Sequence, residues 1–151
     1  MKLKLLAIST IVAASALTAT LVNAQFAKPE AAIKYRKAAL TVMGTHFARI
    51  GAVVKGEAPF NKEDVAKNAA IVSTMSHLPW QAFGPGTEGG DALPSVWSDA
   101  AKFTSLSEKL TAATAALNTA AQSGDLDAVK KAFGATGQTC KACHDDFKKK
   151  G

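Results

Sequence analysis

The chain holds only two cysteines, and both fall within one run, Cys140-Lys141-Ala142-Cys143-His144. Two thiols three residues apart, with an imidazole beside the second, form the attachment signature of haem c. The spacing has a mechanical basis. Each thiol adds to one vinyl group of the porphyrin to give a thioether, and the adjacent histidine turns its ring to the iron. On a helix, positions i, i+3 and i+4 share a face, so one short segment ties the cofactor through Cys140 and Cys143 and ligates it through His144. Competing chemistries lack their other parts. A thioredoxin-like dithiol needs a preceding strand in a βαβ setting, and the sequence has neither. A zinc site needs a fourth ligand, which His46 or His77 would supply only by coincidence of packing, and there is no second Cys-x-x-Cys. A disulfide between Cys140 and Cys143 would close too small a loop to staple the fold.

The elements that must position this motif read as helices. A first helix opens at Lys28-Pro29-Glu30, since proline suits the first turn. It runs to about Val54, with Ile33, Leu40, Met43, Phe47, Ile50 and Val54 at helical spacing. Asn61 caps a second, with Glu63 and Asp64 placed favourably in its first turn. That helix stops near His77-Leu78-Pro79. A long loop from Trp80 to Ala92 follows, and long loops inside compact domains tend to be functional. A third helix is expected from Pro94 to about Ala121. Asp125 caps a fourth that runs to about Lys149, with Gly134 and Gly137 marking a bend or the close approach of a bulky partner. Four helices with short connections imply an all-α, antiparallel four-helix bundle with its one long loop between helices 2 and 3. Seven residues follow His144, so a sixth iron ligand is expected from upstream. The first helix, packed antiparallel to the fourth, offers the stripe Arg36, Leu40, Met43 and Phe47.

Residues 1–24 read as a cleaved secretory signal. Lys2 and Lys4 precede an apolar run from Leu5 to about Val22, and Val22-Asn23-Ala24 supplies small residues for cleavage. Residues 25–151 are then one domain. The polar residues that dilute the run argue against a retained membrane anchor, and export places the protein in the periplasm. Removing Lys2 and Lys4 leaves about +4 of the formal +6. The lysines are dispersed apart from Lys148-Lys149-Lys150, which excludes a nucleic-acid face and suits acidic redox partners.

Taken together, the motif near the C-terminus, Tyr35-Arg36-Lys37-Ala38-Ala39-Leu40 and Leu78-Pro79-Trp80-Gln81-Ala82-Phe83-Gly84-Pro85-Gly86-Thr87 make residues 25–151 resemble cytochrome c′, the four-helix class of c-type cytochromes. The resemblance implies His144 as proximal ligand and Cys140 and Cys143 as thioether sites. It implies Leu40 over the distal iron face and Arg36 near a haem propionate, with Lys37 and Met43 also among the cofactor-binding residues. Trp80 and Phe83 would line the haem pocket. Lys148 stands at a basic proximal position that is often arginine in relatives, and a lysine hydrogen-bonds differently from a planar guanidinium. The family usually forms homodimers through its first two helices.

Leucine cannot ligate iron, so Leu40 on the distal side predicts five-coordinate haem that takes nitric oxide and carbon monoxide. Dioxygen gains from a distal hydrogen-bond donor, which leucine lacks, and an anion would be desolvated without a partner. The rival reading is a low-spin electron carrier in which Met43, one turn from Leu40, supplies a sixth ligand. An enzyme such as a weak peroxidase is not expected, because no distal acid–base pair is visible.

Overall fold

The computed structural model describes residues 26–150, so the expected signal, residues 1–24, lies outside the described part. Helix α1 spans Pro29–Val54 and starts with its proline in the first turn. It gives way to Gly56, whose φ of 78° is the left-handed conformation that glycine adopts without a side-chain clash. Helix α2, Lys62–Met75, is capped by Asn61, whose side chain accepts from the Asp64 N–H at 3.0 Å. A 3₁₀ turn at Trp80–Phe83 and a short helix α3, Ser95–Ser98, then lead into α4, Ala100–Ser123. Helix α5, Leu126–Phe147, carries the cysteines. Asp125 caps it by accepting from the N–H groups of Asp127 and Ala128 at 2.9 and 3.2 Å.

Three local expectations are corrected. The third helix does not run unbroken from Pro94. Asp99 leaves helical geometry (φ −122°, ψ 52°), and its carboxylate accepts from Lys102 N–H at 3.4 Å, so the chain stops as α3 and restarts as α4. The last helix ends at Phe147 rather than Lys149, because Lys148 turns extended and pairs antiparallel with Ala92. Gly134 and Gly137 interrupt nothing, and a Cβ at either would meet no atom within 4 Å. The close approach falls instead at Gly51, where a Cβ would stand 3.0 Å from the Phe133 ring.

The four long helices pack in sequence order around one core, with α1 on α2, α2 on α4, and α4 on α5. Ile50, Val65, Val72, Leu117 and Val129 are almost fully buried there. Burying a side chain of this kind contributes about 1.5–3 kcal/mol. A buried hydrogen bond from Thr114 Oγ1 to Ser76 Oγ, 2.9 Å, fixes α4 against α2. The seam between α1 and α5 is the thinnest of the four. It is closed at one end by Phe47 stacked on Phe133, with centroids 4.2 Å apart. Towards the end that holds the cysteines, the seam widens into a cavity. Among the described residues, no helix is long and apolar enough to cross a membrane.

Candidate haem site

The cavity has a volume of about 380 Å³, within the range of roughly 300–1,000 Å³ usual for cofactor sites. Cys140, Cys143 and His144 reach it from α5, and Arg36, Lys37, Leu40 and Met43 from α1. Trp80 and Phe83 supply it from the 3₁₀ turn, and Lys148 stands at its mouth. All ten residues singled out in the sequence therefore meet at one cavity. Val96, Phe103 and Phe147 also line it. Phe147 lies three residues past His144 and four past Cys143, so the same-face rule that groups the motif would also have found it.

The two thiols are free and half-buried. Burial raises the pKa of Cys140. Cys143 is pushed up to about 11 by burial, then by the neighbouring Cys140 and Asp146. Both therefore stay as S–H groups at neutral pH. The His144 ring is held below its ordinary pKa by burial and by the charge of Lys148, against an opposing pull from Asp145. Its neutral form keeps a lone pair for a metal. Among the described residues, no three His, Cys, Asp or Glu side chains gather as a metal cluster. His46 instead bonds Asn68 Oδ1 at 2.8 Å between α1 and α2, and His77 is exposed beyond α2.

The aromatic wall is built from both sides of the long loop. Phe83 packs on Phe103 at 4.8 Å between centroids, and Phe103 meets the edge of Phe147 at 5.3 Å. The Trp80 indole N–H donates to Ser76 O at 2.6 Å and locks its ring over the end of α2. Arg36 is only 4 % exposed. Its Nη1 donates to Ala82 O and Thr87 O, and its Nη2 to Gly89 O, each at 2.8 Å. The guanidinium also lies 4.4 Å from the centre of the Phe83 ring. Burial lowers its pKa, opposed by Glu88. Arg36 thus fastens the loop to α1 from inside the cavity wall, a role that its residue type alone did not indicate. Lys37 is 72 % exposed and pairs with Asp91 at 3.9 Å. The backbone N–H of Lys148 donates to His144 O at 3.2 Å, while its side chain is exposed.

Two half-buried thiols and a neutral imidazole, on one helix face above an apolar cavity, suit a covalently tied porphyrin. Together with the four-helix frame they define a bundle-type c cytochrome. A family model described as Cytochrome C′ matches residues 31–148. The cytochrome c′ of Alcaligenes xylosoxydans xylosoxydans is 52% identical over 126 residues, covering 83% of this chain and 99% of the relative. That of Rubrivivax gelatinosus is 49% identical over 129 residues, covering 83% and 100%. The solved recombinant native cytochrome c prime of Alcaligenes xylosoxidans superposes with a TM-score of 0.80 at 52% identity, covering 83% of this chain and all of that one. A ferrous arginine-to-lysine variant of that protein with bound nitric oxide superposes at 0.81, with 52% identity over 84% of this chain and all of that one. The chain belongs to the cytochrome c′ family and carries covalent haem c.

Proposed function

We propose that this protein is an exported, periplasmic haem protein that captures nitric oxide and carbon monoxide at a five-coordinate iron. Cys140 and Cys143 would hold the two thioethers, and His144 would be the sole protein ligand to the metal. Haem, when bound, supplies the iron to which a small gas coordinates. The chain's own residues decide what reaches it. The observation that carries the reading is Leu40, which lines the cavity from α1 while His144 lines it from α5. An alkyl side chain there offers neither a ligand nor a hydrogen bond, which favours small neutral gases over anions.

Met43 is buried in the core cluster beside Ile50 and Val65, which supports a packing role over ligation. Solved complexes of the Alcaligenes relative, including leucine variants with nitric oxide bound, support the same reading. Leu40 and Met43, which line the cavity from α1, carry no acid or base, which supports a binding and electron-transfer protein over an enzyme. Val42 on α1 and Ile71 on α2 are large apolar side chains left exposed, which supports a homodimer through those helices.

The optical spectrum of the purified holoprotein tests the proposal. A broad high-spin ferrous spectrum that shifts on adding nitric oxide or carbon monoxide is expected. A sharp low-spin spectrum unaltered by carbon monoxide would replace this reading with the six-coordinate electron carrier.

A further inference from the structure

Three consecutive lysines ordinarily form a solvated group with their charges in water. Here Lys148 and Lys149 are fixed by backbone pairing. Phe147 O accepts from Leu93 N–H at 2.9 Å, Lys149 N–H donates to Asp91 O at 2.9 Å, and Lys148 bridges to Ala92. Lys149 Nζ donates to Gly90 O at 2.8 Å. Lys148, which lines the haem cavity, and Lys149 are thereby held as a ridge at its mouth, with Lys150 next in the chain. The nearby carboxylates are already paired: Asp91 with Lys37, Asp145 with Lys141, and Asp146 with Lys102. Among the described residues, Lys148, Lys149 and Lys150 enter no ion pair.

We propose that this ridge is the docking face for an acidic redox-partner protein, which exchanges one electron with the haem through the cavity mouth. The inference rests on the haem reading above but not on gas binding. A fixed cluster of like charge raises the local concentration of an oppositely charged partner and speeds encounter by about 10–1,000-fold. Because the ridge is ordered before contact, less freedom is lost on docking.

The test uses two one-electron oxidants of opposite charge on the reduced holoprotein: anionic hexacyanoferrate(III) and cationic tris(phenanthroline)cobalt(III). Each takes one electron from the ferrous protein, leaving ferric protein and hexacyanoferrate(II) or the cobalt(II) complex. The ratio of the two rates reports steering and cancels changes in driving force. Lys149→Glu/Lys150→Glu reverses the ridge and keeps the backbone pairing. Lys55→Glu/Lys131→Glu makes the same net-charge change at the opposite end of the bundle. At about 0.1 M ionic strength the screening length is roughly 10 Å, so only local charge should count.

The ridge variant is expected to lose the anionic preference by about tenfold, and the remote variant by less than twofold. Equal losses, or no loss in the ridge variant, would overturn the proposal. Sedimentation of the wild type, but not the ridge variant, with phosphatidylglycerol-containing vesicles at the same ionic strength would reassign the face to a lipid surface. Spectral titration with nitric oxide on the same three proteins reports separately whether the gas-binding reading stands.

Discussion

Replacing Arg36 by methionine keeps an unbranched stem and removes the guanidinium that ties the long loop to α1. Three bonds from a charged donor to carbonyls, at about 1.5–3 kcal/mol each, set the ceiling on the loss. Two of the three acceptors keep a second donor: Ala82 O still accepts from Thr87 Oγ1 at 3.2 Å, and Gly89 O from Ala92 N–H at 3.4 Å. Burying a methionine also avoids the desolvation that a buried cation incurs. The net destabilisation is therefore about 2–4 kcal/mol. Urea denaturation of the holoprotein measures it as a lower midpoint at constant slope. Amide exchange should place the change locally, with protection lost at Thr87 and Ala92, whose N–H groups bond within the loop. Arg36→Lys, which keeps the charge and loses the fork, should fall between the wild type and the methionine variant. A loss below about 1 kcal/mol, or a larger loss with loop exchange unchanged, refutes the assignment of Arg36 as the loop's fastening.

Leu40→Ala should open the distal wall and speed nitric oxide and carbon monoxide association in stopped-flow traces; unchanged rates count against Leu40 as the shield. Gly51→Val places a branched side chain where a single Cβ already comes within 3.0 Å of Phe133. It should cost about 1–3 kcal/mol by overpacking, read as a lowered thermal midpoint. In the polypeptide before haem attachment, Cys143 keeps its proton up to about 11 against an ordinary 9.0. The folded state then binds more protons than the unfolded state between those values, so its stability falls as pH rises through that window. The same shift makes iodoacetamide capture of Cys143 at pH 8 about a hundredfold slower folded than in urea. Equal rates in the two states would contradict the burial seen at this thiol.

The parts of the site that were legible in the sequence are those whose meaning is local. Cys140, Cys143 and His144 declare themselves through spacing along one helix, and Asn61 and Asp125 announce helix starts through side chains that cap their own neighbours. Pro94 does start a helix, as expected, but Asp99, five residues on, caps a second one and breaks the run. The Arg36 network stayed hidden for a different reason. Its acceptors are backbone carbonyls 46 to 53 residues away, and a carbonyl belongs to every residue type. The pairing of Lys148 with Ala92 is likewise a backbone contact, so a run of lysines gave no sign that it was held in place.

The loop's two fastenings also carry an order of assembly. A chain emerges N-terminus first, so Arg36, the carbonyls it holds and the aromatic residues beside them are all present well before Cys140. The later segment brings both thiols, the imidazole and the extended residues that seal the loop at Asp91 to Leu93. One wall of the cavity is complete in sequence before the bonding group arrives, and the piece that makes the covalent attachment is also the piece that closes the site behind it.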